Sequence, residues 1–503
     1  MSHPLKKLAG QTVVYGLGTI VPRLLNYLLT PFLTYGFTAA EFGINSELYG
    51  YIAFLNVIFT YGMETTFFNF SAKSDNKEEV YNTALVSLLT STAVFTGLLL
   101  LFSTTIADTL TTPNATYLPK FIVWCVFIIG TDALMAIPFA RLRANQQALK
   151  FSLLKLFNVV VTFGLTIFLL QYCKKAFEAG ETGFAASLYN PEIGIGYAFL
   201  AALLSNFATL LLLGPEFSGI KFNVNTDLLK SMLQYAWPLV ILGLAGMVNE
   251  TLDRIIIKKL MPDKSLAQDA VGIYSACYKI AILMSIFRQA FQFAAEPFFF
   301  GKARDKDATH TYAVVMKYFV IFCLFIFLGT TLNLNWIQYF VGENFRSGMA
   351  VVPILLIANI CLGVVYNLSI WFKLSGKTRY GAIIAIAGAI VTIALNVAFV
   401  PTYGYIASAW ATLAAYFTMM VVSYFFGQKY YPIKYNLRAI FTYSALTLGL
   451  YLLPHLWHNT IGFGTEIVIN NLLILLFAAL VYKLEINNLK RIRNNVNPSQ
   501  SHQ

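Results

Sequence analysis

The chain has 503 residues, of which 58% are hydrophobic and only 12% charged, with a net charge of +12 and a mean hydropathy of +0.65. A soluble domain carries about 25% charged residues, so this chain lacks the polar surface to cover a water-facing globule, and its composition places it in a membrane. Long unbroken apolar runs such as IFCLFIFLGTTL exclude a β-barrel, whose strands alternate apolar and polar residues, and predict an all-α integral membrane protein.

A membrane-crossing helix needs about 20 mainly apolar residues. Fourteen stretches meet that description. The first, 10–35, follows the basic leader MSHPLKK; it is too long for a signal-peptide core and lacks a cleavage site, so it is expected to remain as a span. The next five lie at 48–70, 81–103, 119–140, 151–172 and 194–214. Span 7, 233–257, ends in NETLDRIII, and span 8 covers 271–298. Spans 9–12 follow at 313–333, 349–371, 380–400 and 405–426, then spans 13 and 14 at 437–456 and 464–483. No connection is long enough for a separate soluble domain.

A repeat underlies this series. TPFLTYGFTAAEFGINSELYGYIAFL between spans 1 and 2 aligns with LDRIIIKKLMPDKSLAQDAVGIYSACYKIAIL between spans 7 and 8, pairing Gly50 with Gly272 and Glu47 with Asp269. RLRANQQALKFSLLK after span 4 likewise matches FKLSGKTRYGAIIA after span 10. Two six-span units result, residues 1–214 and 215–432, with spans 13–14 and a tail, 433–503, outside the repeat. Such a plan recurs in transporters, with a substrate site between the halves near the midplane.

Orientation follows from the basic residues. With the N-terminus inside, 24 of the 35 lysines and arginines fall on the cytoplasmic side and seven outside. Both termini are therefore expected in the cytoplasm. The net charge is mainly a topology signal; basic residues scattered over many short loops exclude a nucleic-acid partner. Five widely spaced cysteines and five histidines form neither a disulfide framework nor a metal constellation, so no cofactor is expected.

Ionised groups left inside the spans are costly there and point to a bundle interior or a wet cavity. In span 1, Gln11, Tyr15, Thr19, Arg23, Asn26 and Thr30 recur at steps of three or four, a polar stripe along one helix face with Arg23 near mid-depth beside Pro22. In span 8, Ser285, Arg288, Gln292 and Glu296 form a second stripe, again with its arginine near mid-depth. Two guanidinium groups facing one cavity suit an anion with several oxygens, such as a diphosphate. Arg23, Asn26, Arg288 and Gln292 are therefore the candidate substrate contacts. Glu64 and Asp132, in the inner halves of spans 2 and 4, are candidate counter-ions, proton carriers or sodium ligands, and Glu296 joins them on the second stripe. Farther out, Glu250 and Arg254 are spaced to pair within span 7, and Asp253 is expected to reach Lys279 of span 8, forming an outer-gate ion-pair cluster.

These segments resemble a known family. NETLDRIII with the following VGIYSACYKIAILMSIF, AAEPFFF at the end of span 8, SGKTRYGAIIAIAGAIVTIALNVAFVPTYGYIASAWAT, and PRLLNYLLTPFLT in span 1 are similar to the bacterial O-antigen and capsule flippases of the multidrug/oligosaccharidyl-lipid/polysaccharide (MOP) superfamily. The resemblance implies two six-helix lobes forming a V around a central cavity, with two C-terminal helices outside. It implies a monomeric transporter in the bacterial inner membrane that is not an enzyme. Its substrate would be an undecaprenyl-diphosphate-linked oligosaccharide, moved from the cytoplasmic to the periplasmic leaflet by alternating access, with H+ or Na+ as a possible coupling ion. It further implies that Arg23 and Arg288 engage the diphosphate. A cation-coupled drug exporter of the same superfamily is the alternative.

Overall fold

A computed structural model describes residues 3–222, 224–303, 305, 307–456 and 462–496, with the side chains of all of these except 3–17, 19, 294, 296, 297, 455 and 487–496. The described residues fold into helices and form no strand beyond an isolated bridge between Thr112 and Ala115. In chain order the α-helices are α1 (His3–Gly36), α2 (Ala39–Thr60), α3 (Met63–Lys73), α4 (Lys77–Leu101), α5 (Ser103–Leu110), α6 (Pro119–Ala144), α7 (Ala148–Ile167), α8 (Lys174–Glu178), α9 (Phe184–Leu188) and α10 (Tyr197–Leu212). The remainder are α11 (Thr226–Leu260), α12 (Ala267–Lys302), α13 (Ala308–Thr331), α14 (Leu334–Ile337), α15 (Val351–Leu368), α16 (Ile370–Leu374), α17 (Arg379–Tyr403), α18 (Tyr405–Tyr430), α19 (Leu437–Leu452) and α20 (Phe463–Val496).

Among the described residues, eleven helical segments are long and apolar enough to cross a membrane. The predicted second and thirteenth spans fall on α2–α3 and α19, which are not among them; α19 has only 16 residues. The predicted first span falls on the 34-residue α1, whose side chains are described only in part. The second predicted span is not one helix. It breaks at Tyr61 and Gly62, both with positive φ (34° and 69°), before α3 resumes. Glycine is needed at this break twice over, because a Cβ on Gly62 would also lie 2.9 Å from the Leu239 side chain on α11. The fifth predicted span continues past α7 through a π-helical turn, Phe168–Cys173, into α8.

The helices pack mainly as two groups. In the first, α1 lies on α7, α7 on α10, and α6 on α2, α4 and α10. In the second, α15, α17 and α18 pack together, with α11 on α17 and α12 on α15. The groups meet where α12 crosses α1 and α2, and where α11 crosses α2 and α3. The α2–α12 crossing is close because it is built on glycine: a Cβ on Gly272 would lie 1.9 Å from the Ala39 carbonyl oxygen, and one on Gly43 would lie 2.3 Å from that of Gln268. These are the two helices that the sequence repeat equates. Nearby, a reciprocal capping box of Thr38 and Glu41 starts α2, satisfying two backbone N–H groups that the helix leaves over.

Helices α19 and α20 stand apart, packing on α13 and on each other. Glu485 of α20 fastens them: it pairs with Lys317 and accepts hydrogen bonds from Tyr318 at 2.9 Å and from Tyr443 of α19 at 2.6 Å. Residues 497–503 of the predicted tail lie outside the described residues.

Candidate functional site

A cavity of about 830 Å³ lies between the two helix groups. Among the described residues, nine helices line it: α1, α2, α6, α7, α10, α11, α12, α15 and α18. Helical periodicity explains the selection, since residues three or four apart share a face. Arg23, Asn26 and Thr30 of α1 line the wall, and Ser285, Arg288 and Gln292 of α12 line it too. Both predicted stripes thus meet in one cavity, and Arg23 and Arg288 are near enough to feel each other's charge. Gln11, Tyr15, Thr19 and Glu296 lie outside the residues whose side chains are described.

Arg288 is the more enclosed arginine, with 6% of its surface exposed. Its guanidinium carbon sits 4.6 Å from the centre of the Tyr366 ring, and its Nε has no hydrogen-bond partner. Among the described residues, no carboxylate pairs with Arg288. A guanidinium placed over an aromatic ring still has its N–H donors free to grip two oxygens of one anion. Ser285 donates a hydrogen bond to Asn359 Oδ1 at 2.7 Å, which keeps the adjacent wall in place.

The acidic residues are arranged differently from the sequence expectation. Glu64 does not line the cavity; it pairs with Arg143, and both side chains are substantially exposed. The break at Tyr61–Gly62 accounts for this, because it redirects α3 away from the α2 axis. Asp132 does line the cavity. It accepts a hydrogen bond from Asn206 at 2.9 Å, and Asn206 in turn is held by Asn158 at 2.9 Å, while the ammonium of Lys155 lies within electrostatic reach. The carboxylate whose charge reaches Arg23 is Glu250.

The expected pairs of the NETLDRIII stretch are not the ones formed. Arg254 binds Asp253 at 3.3 Å and the backbone carbonyl of Glu250 at 3.1 Å, not the Glu250 side chain. Asp253 is buried and accepts from Tyr274 at 2.5 Å instead of meeting Lys279. One face of α11 turns Glu250 and Arg254 into the cavity, and the neighbouring face turns Asp253 into the α11–α12 contact. Lys279 lines the cavity beside Arg254.

An ion pair does join the two groups at this end, two turns or less beyond those residues, and sequence reasoning did not find it. Lys258 of α11 binds Glu47 of α2 at 2.9 Å, with only 8% and 1% of the side chains exposed. Lys258 also donates to the Leu110 carbonyl at 2.7 Å, and the Tyr117 hydroxyl donates to the same Glu47 oxygen. Burial and the Glu47 carboxylate push the Tyr117 phenol well above its usual range, so it stays a donor. More contacts seal the same end: Tyr35 donates to the Tyr339 carbonyl at 2.9 Å, Gly342 N donates to Thr34 Oγ1 at 3.1 Å, and Tyr27 stacks on Phe340 at 4.4 Å. The sequence shows Glu47 as a charge near a span boundary, aligned with Asp269 in the repeat, but its partner is 211 residues away.

The family model described as "Polysaccharide biosynthesis protein" matches residues 8–300. No curated protein sequence matches the chain. Among solved structures, the chain is similar to one titled "Lipid II flippase MurJ, inward closed conformation", at a TM-score of 0.70 and 15% identity, covering 94% of this chain and 100% of that one. It is also similar to an inward-facing multidrug resistance MATE family transporter of the MOP superfamily, at a TM-score of 0.62 and 13% identity over 83% and 97% of the two chains. An outward-facing MATE structure matches at a TM-score of 0.56 and 14% identity, over 85% and 95%.

Proposed function

From its membership of the polysaccharide biosynthesis protein family, with the fold of MOP-superfamily transporters, we propose that this chain flips a lipid-diphosphate-linked oligosaccharide across a membrane by alternating access. The lipid is of the undecaprenyl diphosphate type, and the product serves surface polysaccharide such as O-antigen. The membrane is the bacterial inner membrane, with both termini cytoplasmic by the bias of basic residues. That orientation makes the end sealed by Glu47 and Lys258 the periplasmic one.

The observation that carries the proposal is Arg288: a buried guanidinium without a carboxylate among the described residues, facing a cavity it shares with Arg23. A buried charge without a counter-ion is costly, and an arriving diphosphate would supply one at Arg288 while remaining within reach of the exposed Arg23 on the same wall. The test is surface polysaccharide in cells carrying Arg23→Gln or Arg288→Gln. Loss of polysaccharide with normal amounts of protein in the membrane is expected. Normal polysaccharide in both variants would refute diphosphate binding.

Asp132 supports coupling of this transport to H+ or Na+, because it is an ionisable group on the cavity wall, held by the Asn206 amide N–H at 2.9 Å and within reach of the Lys155 ammonium. The same carboxylate is the observation that favours a drug exporter. Drug sensitivity on deletion, with unchanged surface glycan, would select that alternative.

A further inference from the structure

Lys279 is a second cation on the cavity wall that the diphosphate contacts leave unused. It faces the cavity, and among the described residues it makes no ion pair or hydrogen bond. The charge within its reach is another cation, Arg254. Its expected acid is taken: Asp253 gives one oxygen to Arg254 and the other to Tyr274, with 5% of its side chain exposed. The wall as a whole carries four cations, Arg23, Arg254, Lys279 and Arg288, against the carboxylates of Asp132 and Glu250. The carboxylates of Asp253 and Glu250 reach Arg254, whereas the charge that reaches Lys279 is the Arg254 cation, a repulsion that an anion at Lys279 would relieve.

Lys279 cannot serve the anion held at Arg288. The two residues lie on one continuous helix, and nine residues at 1.5 Å each separate them by about 13 Å along its axis. A ligand whose diphosphate sits at Arg288 therefore presents its sugars, not its phosphates, at Lys279. Tyr278 also lines the cavity here, with the Arg254 guanidinium carbon 5.1 Å from its ring centre.

We propose that Lys279, with Arg254 beside it, binds a carboxylate on the glycan, so that the transported oligosaccharide contains an acidic sugar of the uronic acid class. This inference rests on the flippase assignment above. Lysine is a compact point charge, suited to a single carboxylate that reaches it from varied angles, whereas arginine at the midplane suits the two-oxygen grip on a phosphate.

The experiment uses the full chain in lipid nanodiscs and synthetic farnesyl-diphosphate trisaccharides that differ only in the last sugar: glucose, glucuronic acid or glucose 6-phosphate. The wild type is expected to bind the glucuronate probe at least tenfold tighter than the glucose probe. Lys279→Gln removes that preference and leaves the glucose probe's affinity unchanged, Lys279→Arg keeps it, and the variants melt as the wild type does. Equal affinity for glucose and glucuronate in the wild type would overturn the acidic-sugar inference while leaving the flippase assignment standing. So would tighter binding of the phosphate probe than of glucuronate, equal weakening of all probes by Lys279→Gln, or a lowered melting point of that variant. Failure of every probe to bind the wild type would overturn both.

Discussion

Replacing Glu47 by glutamine tests whether the Glu47–Lys258 pair is a gate or a permanent staple. The pair is 2.9 Å long and almost wholly buried; Lys258 and Tyr117 both meet one oxygen of the carboxylate, Tyr51 lies close to it, and Glu47 Oε1 has no partner. Glu47→Gln keeps an amide oxygen that can accept from Lys258 but removes the negative charge, leaving the buried ammonium without its carboxylate. Removing one partner of a buried pair costs about 3–5 kcal/mol. If the pair exists only while this end is closed, the whole penalty falls on the closed state. At about 1.4 kcal/mol per tenfold, the open population then rises by roughly a hundredfold to a few thousandfold. Ser275 is a suitable reporter, because it lines the cavity yet is only 2% exposed. In a chain with its five native cysteines replaced, Ser275→Cys is to be labelled from outside with a membrane-impermeant maleimide. Glu47→Gln should speed labelling at least a hundredfold, and the exchange Glu47→Lys with Lys258→Glu should slow it again. Labelling at the wild-type rate, together with a lower melting temperature, would refute the gate and show that the pair persists in both states.

Gly272→Ala should lower the melting temperature in detergent, because its Cβ would meet the Ala39 carbonyl at 1.9 Å and force α2 and α12 apart; overpacking of this kind costs about 1–3 kcal/mol. An unchanged melting temperature would show that the crossing relaxes freely. Asp132→Asn should leave transport insensitive to the H+ or Na+ gradient while the protein stays folded, since the amide oxygen can still accept from Asn206. Gradient dependence measured in proteoliposomes with the lipid-linked probe checks this, and a wild-type dependence would remove Asp132 from coupling.

Much of this arrangement was legible in the chain itself. Hydropathy placed the helices well: the predicted spans 81–103 and 380–400 appear as Lys77–Leu101 and Arg379–Tyr403. It missed the break at Tyr61–Gly62, because an apolar window averages over two residues whose backbone alone is unusual. The period of 3.6 residues put Arg23 with Asn26 and Thr30, and Arg288 with Ser285 and Gln292, on single helix faces, and each face does line the cavity. Glu64 went astray for the same reason as the break: α3 no longer follows the axis of α2.

Pairing between helices was beyond that reach. Asp253 was one helical face away from the Lys279 side of the cavity, and it took Tyr274; Glu47 found Lys258 across 211 residues. Composition and periodicity determine that a segment enters the membrane and which residues share a face, because both depend on the local geometry of one helix. Which charge meets which, and which stays free for a ligand, depends on where two helices cross and how far each is rotated. Here that was set by close contacts such as Gly43 and Gly272, whose missing side chains let α2 and α12 meet.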